Sequence, residues 1–260
     1  MTRPTALVTG ASSGIGRELA TLAAADGHDL VISGRSAERL EAARKSIVAN
    51  YGCACTTLVL DLAAPGAAVD LQRELARRKL SISVLINCAG IGARGAVDTL
   101  TLQRQREIMQ VNMVALTEIT LLLLPEIRQS GNGAVLNVAS LAAHAPGPYM
   151  SVYYATKAYV LHFTEGLHEE LRRSGVRITC LCPGPTLTAF GQSAGVQQLR
   201  AFRWTAMTAG EVAHGGWEGL KKGRAVVLVG GRNKLAALVL SAMPRLLKRR
   251  LVRQLHSPDL

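Results

Sequence analysis

A tyrosine and a lysine four residues apart are the side chains in this sequence whose types and spacing best suit acid–base chemistry. Tyr153 and Lys157 fall in a helical pattern over 153–173, so they share one helix face. A buried ammonium beside a phenol favours the phenolate, so we expect Lys157 to lower the pKa of Tyr153. Tyr153 would then donate and accept protons near neutral pH. Because this spacing is common by chance, the interpretation depends on other residues.

Ser140 is the first of those residues. It follows a predicted strand over 134–139 and precedes Tyr153 by thirteen positions. Ligands of doubly wound parallel sheets bind beyond the carboxyl ends of the strands. We therefore expect Ser140 to lie at the same site as Tyr153.

A glycine-rich turn near the start of the chain predicts a site for phosphates. Gly10 permits the tight turn, Gly14 lets the backbone approach a pyrophosphate, and Gly16 lets the following helix pack close to the sheet. The free N–H groups at the start of that helix attract phosphate. An ordinary strand–helix turn is the alternative, but the position after the first strand favours nucleotide binding. The predicted contacts are Gly10, Ser12, Ser13, Gly14, Ile15 and Gly16.

The end of the second predicted strand indicates which dinucleotide binds. A site that prefers NAD usually has an acid here to hold the ribose 2′-hydroxyl, but this chain has Arg35 and no acid before Glu38. The planar guanidinium of Arg35 suits a 2′-phosphate, and Arg17 or Arg39 could assist. The alternative is a solvated loop arginine. We predict NADP(H) as the cofactor.

Short apolar runs alternate with helical patterns and predict the scaffold for these residues. Predicted strands cover 6–9, 29–33, 56–60, 83–87, 134–139, 177–181 and 226–229, and predicted helices cover 15–25, 37–50, 66–78, 102–124 and 153–173. Solid Val/Ile/Leu strands that alternate with helices build a parallel sheet covered on both faces. We predict an α/β fold with one doubly wound parallel seven-stranded sheet, a Rossmann fold. The single domain would cover 1–231, with a basic amphipathic extension over 232–260.

Composition excludes several classes of protein. With 260 residues, 48% apolar and 18% charged, the chain is too apolar for a disordered protein. Its aromatic share of 4% suits helices on a buried sheet better than an all-β sandwich. Five cysteines in a chain of this length argue against a disulfide scaffold. The pairs Cys53/Cys55 and Cys180/Cys182 lack further ligands at suitable spacing, so we predict no metal site.

Taken together, these residues resemble the short-chain dehydrogenase/reductase family, and the resemblance covers about residues 5–230. Cys88 stands where the family most often has a second Asn. The matching residues occur in the family's order and at its spacings: Thr9-Gly10, Gly14-Ile15-Gly16, Asp61-Leu62, Asn87-Cys88-Ala89-Gly90, Asn112, Ser140, Tyr153, Lys157 and 183–188.

The resemblance implies roles for these residues. Tyr153 would be the general acid for carbonyl reduction or the base for alcohol oxidation, and Lys157 would hold the nicotinamide ribose. Ser140 would orient the substrate oxygen, and Asn112 would hold a water that connects Lys157 to solvent. Further cofactor contacts would come from Asp61 and Leu62 at the adenine and from Asn87, Ala89, Gly90, Pro183, Gly184, Thr186 and Thr188. The family also implies a homo-oligomer, either a dimer or a tetramer.

The formal charge of +12 is unevenly placed. Residues 219–260 hold ten Lys or Arg and one acid, a net of +9, so the rest of the chain carries +3. Beyond Pro244, Leu246, Leu247, Leu251 and Leu255 recur at helical spacing beside the cations. This segment could lie on an anionic membrane surface, on a partner subunit or on its own domain. No nucleic-acid motif or aromatic interleaving accompanies the charge, so we predict no nucleic-acid partner.

Two further features bear on substrate and location. The segment 189–207 holds Phe190, Phe202 and Trp204, which suggests an apolar pocket or else a helix packed on the sheet. His144 either lines the substrate pocket or is a loop histidine. We see no removable N-terminal segment and no apolar run near the ~20 residues of a membrane span. The expected location is cytoplasmic, with membrane association left open by the basic end.

We therefore predict an NADP(H)-dependent oxidoreductase. It would transfer hydride between the nicotinamide and a carbonyl or secondary alcohol of a lipophilic small molecule. Reduction is favoured, because cells keep NADP(H) largely reduced. The alternatives are a non-catalytic NADP-binding regulator on the same fold and a membrane-recruited binding protein.

Overall fold

Seven of nine short strands form one parallel sheet in the described part of the chain. The structure, a computed structural model, describes residues 3–198 and 205–257. The strands are β1 (Thr5–Thr9), β2 (Asp29–Gly34), β3 (Cys55–Val59), β4 (Val84–Asn87), β5 (Ala134–Val138), β6 (Arg177–Leu181), β7 (Thr186–Leu187), β8 (Met207–Thr208) and β9 (Val226–Val227). The sheet order is β3-β2-β1-β4-β5-β6-β9, while β7 and β8 pair separately. The order reverses beside β1, so the predicted doubly wound α/β fold is confirmed.

Helices connect the strands of this sheet. They are α1 (Gly14–Ala25), α2 (Ala37–Tyr51), α3 (Ala67–Arg77), α4 (Leu102–Met109), α5 (Leu116–Gln129), α6 (Ser151–Glu170), α7 (Ala189–Ser193), α8 (Ala209–Lys221), α9 (Gly231–Ala242) and α10 (Arg245–His256). A π-helical turn (Gln110–Ala115) joins α4 to α5, and a 3₁₀ turn (Leu141–His144) follows β5.

The two faces of the sheet bury separate hydrophobic cores. Along β1, Ala6 and Val8 face one core and Leu7 faces the other, because successive strand side chains point to opposite faces. The first core includes residues of α1, α2 and α8, and the second includes residues of α3 and α5. Burial on both faces explains why the strands read as solid apolar runs.

Two elements differ in extent from their predictions. The strand predicted over 226–229 is only β9, because its partner β6 ends at Leu181, which pairs with Val227. The helix predicted over 102–124 continues to Gln129 and contains the π-helical turn. Such turns insert an extra residue into a helix and occur frequently at functional sites.

The segment Leu102–Gln129 meets the length and hydropathy criteria for a membrane-crossing helix. However, 44% of its most apolar window is buried inside the protein. Val111, Ile119 and Leu123 pack there in the second core. A core helix passes the same test, so the finding is weak support for a membrane span.

The C-terminal helices α9 and α10 return to the body of the protein. Val252 of α10 is buried. The Arg94 guanidinium donates to the carbonyl oxygens of His256 and Ser257 at 3.0 and 2.9 Å. The Lys248 ammonium donates to the carbonyl oxygen of His144 at 3.3 Å. Of the three placements that the sequence leaves open, the structure shows contact with the chain's own domain.

Close packing at Gly16 holds α1 against the glycine-rich turn. A Cβ at Gly16 would collide with the carbonyl oxygen of Gly10, and a Cβ at Gly10 would lie 2.8 Å from the backbone of Ala89. Gly10 also has a φ of +70°, a conformation that side chains rarely adopt. The turn therefore depends on these two glycines for both space and backbone geometry.

We expect Gly16→Ala to lower the free energy of unfolding by about 1–3 kcal/mol, because the added methyl overpacks a buried contact. Gly166→Ala is the matched control, since Gly166 lies in α6 with open space around it. Gly166→Ala should raise the free energy of unfolding by about 0.5–1 kcal/mol, because alanine has a higher helix propensity than glycine. Urea unfolding followed by circular dichroism measures both. Equal stabilities for the two variants would contradict the packing argument.

Candidate active site

A cleft of about 770 Å³ opens at the carboxyl ends of the strands. Ligand sites usually occupy this volume range and this edge of a doubly wound sheet. Most of the residues singled out from the sequence line it: Gly10, Ser12, Ser13, Gly14, Ile15, Gly16, Arg35, Asp61, Leu62, Ala89, Gly90, Ser140, Tyr153, Lys157, Pro183, Gly184, Thr186 and Thr188. These sequence-predicted residues come from seven separate parts of the chain.

The start of α1 fits a phosphate group. Ser13 precedes the helix without a side-chain cap, and the first turn contains no acid. The N–H groups of this turn thus have no capping side chain, and the positive helix end is not neutralised. A Cβ at Gly14 would lie 2.9 Å from the Thr188 methyl, so only glycine leaves this narrow passage open. These features suit the pyrophosphate of a dinucleotide.

Two arginines lie at the end of the cleft next to β2. Arg35 and Arg39 both line it, whereas Arg17 is not among the cleft residues. The acid that lines this cleft in the described residues is Asp61, whose carboxylate accepts from the N–H of Ala63 at 3.0 Å. This end of the cleft is therefore positively charged, as a 2′-phosphate requires.

Tyr153 and Lys157 lie on one face of α6 and are both buried. The Lys157 ammonium is 5.9 Å from the centre of the Tyr153 ring and donates to the carbonyl oxygen of Val138 at 2.9 Å. Burial lowers the pKa of Lys157 to about 8. The same low-dielectric surroundings disfavour the charged form of any group placed in them.

The expectation that Lys157 lowers the pKa of Tyr153 is wrong for this structure. Burial raises the pKa of Tyr153 to about 12, and a hydrogen bond with Ser140 offsets only part of that rise. Loss of solvation is the largest cause of this shift, since the tyrosine is buried at 8% exposure. Tyr153 is therefore a protonated donor at neutral pH.

Ser140 is held in place by the turn that it begins. Its hydroxyl oxygen accepts from the N–H of Ala142 at 3.1 Å and caps the 3₁₀ turn. The hydroxyl proton points to the carbonyl oxygen of Pro183 at 3.5 Å. Ser140 and Tyr153 both line the cleft, and the Ser140 hydroxyl favours a lower pKa for Tyr153.

Asn112 lies behind the cleft and is not part of its lining. Its side-chain oxygen accepts from the N–H of Ile91 at 3.0 Å, and its amide donates to the carbonyl of Ile91 and to the Thr156 hydroxyl at 2.9 and 3.0 Å. The Thr156 hydroxyl in turn donates to the carbonyl oxygen of Tyr153 at 2.7 Å. Asn112 therefore positions the helix that carries Tyr153. Its implied water-holding role stays a prediction.

Asn87 does not line the cleft in this structure, and its expected cofactor contact stays a prediction. It is buried at the end of β4, where its amide donates to the Thr120 hydroxyl and to the Asn137 side-chain oxygen, each at 2.9 Å. The Asn137 amide continues to the Thr164 hydroxyl at 3.1 Å. This buried chain ties β4 and β5 to helices α5 and α6 beneath the cleft.

The far part of the cleft is mostly apolar. Phe190 lies 5.4 Å from Tyr153 between ring centres, so one predicted aromatic does line the pocket. Phe202 and Trp204 lie outside the described residues. His144 is not among the cleft residues, and its carbonyl anchors Lys248.

Helices α9 and α10 close the far part of the cleft, which sequence reasoning missed. Their cleft-lining residues are Arg232, Asn233, Ala236, Val239, Leu240, Leu251, Val252, Leu255 and His256. The Tyr154 hydroxyl lies 2.6 Å from Nε2 of His256. The helical recurrence of Leu251 and Leu255 was the available signal, but it did not say which surface the helix would cover.

The cysteine pairs lie in or beside the core. The sulfurs of Cys180 and Cys182 are 3.8 Å apart and fully buried, and Cys53 is also buried. Among the described residues, no group of three or more His, Cys, Asp or Glu is placed to hold a metal ion.

A sequence profile described as short chain dehydrogenase matches residues 4–198 of this chain. Among curated relatives, dehydrogenase/reductase SDR family member 7B of Bos taurus is 32% identical over 183 residues. That match covers 68% of this chain and 56% of the relative. The chain thus spans little more than half the length of this relative.

Solved structures match over more of the chain. A short-chain dehydrogenase from Sphingobium yanoikuyae in complex with NADPH is 32% identical, with a TM-score of 0.80 over 93% of this chain and 97% of its own. A 7beta-hydroxysteroid dehydrogenase is 25% identical, with a TM-score of 0.86 over 98% of this chain and 97% of its own. The second match leaves few residues unmatched, so it extends through most of α9 and α10.

His256 makes the docking of α10 sensitive to pH. Burial, with repulsion from Arg94, lowers the pKa of His256 to about 4 from its ordinary 6.5. Below pH ~6.5 the unfolded chain binds a proton at this imidazole that the folded chain does not, so stability falls as pH drops toward 4. We expect His256→Gln to flatten the decline in melting temperature between pH 7 and pH 5.

The matched control is His214→Gln, which replaces an exposed imidazole on α8. Its melting temperatures should follow those of the unaltered chain across the same range. A decline that is as steep in His256→Gln as in the unaltered chain would assign the pH sensitivity to other groups.

Proposed function

We propose that this chain, which belongs to the short chain dehydrogenase family, uses NADPH to reduce the carbonyl group of a lipophilic small molecule. Family membership makes it an NAD(P)-dependent oxidoreductase that acts on a small-molecule substrate. The observation that carries the finer proposal is the convergence of Tyr153, Ser140 and Lys157 in one cleft with the glycine-rich turn and Arg35.

Three residues of the cleft have proposed roles in this reaction. When bound, the nicotinamide supplies the hydride chemistry. The Tyr153 phenol donates its proton to the carbonyl oxygen of the substrate, and the Ser140 hydroxyl orients that oxygen. The Lys157 ammonium reaches the same part of the cleft from one helical turn further along α6, where it can hold ribose hydroxyls.

The protonation state of Tyr153 is compatible with a role as proton donor in carbonyl reduction. Its pKa of about 12 keeps the phenol protonated at neutral pH. A protonated phenol can donate to a carbonyl oxygen directly, whereas alcohol oxidation needs a group that accepts a proton. The raised pKa is therefore consistent with proton donation by Tyr153, while reduction as the cellular direction stays a prediction.

The charges at the nucleotide end support NADPH over NADH. Arg35 and Arg39 lie where a site for NAD usually has an acid that binds the ribose 2′-hydroxyl. A doubly charged 2′-phosphate would form charge-assisted hydrogen bonds with these guanidinium groups. The Sphingobium relative that was solved with NADPH is consistent with this choice.

The apolar walls of the far cleft support a lipophilic substrate. Phe190, Leu240, Leu251 and Leu255 line this part, with Tyr154 and His256 as a polar pair at its end. Burying apolar surface against such walls provides most of the binding energy of small ligands. The similarity to a 7beta-hydroxysteroid dehydrogenase agrees with this class of substrate. Assembly as a dimer or tetramer and a cytoplasmic location stay predictions.

Tyr153→Phe tests the proton donor. We expect turnover of a lipophilic ketone to fall by roughly 10²–10⁴-fold, because proton transfer to the oxygen is lost. NADPH affinity, measured by nucleotide fluorescence, should change little. Tyr159→Phe is the matched control, since its hydroxyl lies on the same helix but contacts Thr117 at the surface. Near-normal turnover by Tyr153→Phe would refute the assigned role.

Arg35→Asp tests the choice of nucleotide. We expect the ratio of kcat/KM for NADPH to that for NADH to fall by at least roughly tenfold, because a charge-assisted contact is replaced by repulsion. Arg17→Gln removes a nearby cation that is not among the cleft residues and should leave the ratio unchanged. If Arg35→Asp also leaves the ratio unchanged, another group selects the nucleotide.

A further inference from the structure

Exposed apolar side chains are concentrated on the C-terminal helices. Seven of the sixteen large hydrophobic residues that the structure shows as exposed lie in α9 and α10. Four of these seven do not line the cleft and are 51–66% exposed: Leu235, Leu238, Leu246 and Leu247. We call these four leucines the C-terminal apolar patch. Apolar clusters of this kind on a surface mark sites that contact another molecule or a membrane.

The two helices that carry the C-terminal apolar patch also carry many cations and no acids. The two helices carry Arg232, Lys234, Arg245, Lys248, Arg249, Arg250 and Arg253, and the sequence has no Asp or Glu between Glu218 and Asp259. Elsewhere, surface arginines pair with nearby acids, as Arg44 does with Glu41 at 2.7 Å. Within the described residues of α9 and α10, none of these cations forms an ion pair. Their charge is thus available to an external anionic surface.

The same two helices form the far wall of the cleft. Val239 and Leu240 of α9 and Leu251 and Leu255 of α10 line it, while the C-terminal apolar patch lies on the sides turned away. Val239, Leu251 and Leu255 are also 39–46% exposed, so they reach from the cleft to the surface. A surface that contacts the patch would therefore lie beside an apolar path into the cleft.

We propose that the C-terminal apolar patch docks on an anionic lipid surface and that the lipophilic substrate enters the cleft from that surface. Leucines that insert among acyl chains, with arginines at the headgroups, are the arrangement by which amphipathic helices bind membranes. The docking surface is inferred from the exposed leucines and cations alone and does not depend on the proposed function. The entry route rests on the proposed function, because it requires a lipophilic substrate.

A second copy of this chain fits the patch less well. A symmetric interface places the same surface on both subunits, so these cations would face their own copies without an intervening acid. An anionic lipid surface instead offers opposite charge over its whole area. An acidic partner protein is the remaining alternative, and the experiment below separates it from lipid.

Co-sedimentation of the full chain with vesicles tests the docking surface. The unaltered chain is expected to pellet with phosphatidylcholine vesicles that contain phosphatidylserine and to stay in the supernatant with phosphatidylcholine alone. Leu235→Gln/Leu238→Gln should lower the partition coefficient by at least about tenfold, because two leucines no longer insert. Arg249→Gln/Arg250→Gln should lower it by about 25-fold, since each cation contributes about fivefold at an anionic surface.

The matched control is Leu121→Gln/Arg128→Gln, which removes an exposed leucine and an exposed arginine from α5. This variant should pellet like the unaltered chain. Circular dichroism and NADPH binding confirm that each variant is folded, and the altered residues do not line the cleft. Failure of the unaltered chain to pellet with anionic vesicles would overturn the proposal and leave an acidic protein as the candidate. Equal pelleting by all variants, or conversion of an oligomer to a monomer by the leucine changes without vesicle binding, would also overturn it.

A second measurement tests the entry route separately. Turnover is compared for a water-soluble ketone and for a lipophilic ketone dissolved in the anionic vesicles. Leu235→Gln/Leu238→Gln should retain turnover of the soluble ketone and lose about tenfold for the vesicle-borne one. Equal retention of both would overturn entry from the membrane. If the unaltered chain reduces none of the ketones, that result would instead count against the proposed function, whatever the vesicle binding shows.

Discussion

The attachment of α6 to strand β5 is the constraint on which this site depends. Helix α6 carries both Tyr153 and Lys157, and three buried contacts fix its position. Lys157 donates to the carbonyl of Val138, the Asn137 amide reaches Thr164, and the Asn112 amide reaches Thr156. Buried polar groups are costly when unpaired, so each contact is held firmly once the core has formed. A helix that is free to slide by one residue would break all three contacts and move the phenol away from Ser140.

The same burial sets the electrostatics of the site. Enclosure raises the pKa of Tyr153 to about 12 and lowers that of Lys157 to about 8, so both groups move toward their neutral forms. A neutral phenol is a proton donor that needs no base to prepare it. With a pKa of about 8, Lys157 remains mostly charged at neutral pH. Arg35 and Arg39 add positive charge next to β2, where a phosphate is expected. Proton donation and phosphate binding are thus separated along one cleft, between the ends of different strands.

The C-terminal helices combine an inner and an outer role. Their inner sides complete the apolar end of the cleft and fasten to it through Arg94, Tyr154 and Lys248. Their outer sides present leucines and cations to the surroundings. Much of the excess positive charge of the chain therefore lies on the helices that line this end of the cleft. Any surface that attracts this charge also comes close to the entrance of the cleft.

The sequence by itself determined the features that depend on neighbouring residues. The glycine-rich turn, the four-residue spacing of Tyr153 and Lys157, and Arg35 at the end of the second strand are all local patterns. The alternation of apolar runs and helical periods likewise predicts the sheet, and parallel strands must bring their carboxyl ends together. Tertiary structure alone decided that Asn87 lies in the core, that burial raises the pKa of Tyr153, and that α10 returns to the cleft. These outcomes depend on contacts between distant positions, such as Arg94 with His256, 162 residues away. Local periodicity shows that a helix has an apolar side, but only the packed structure shows what that side covers.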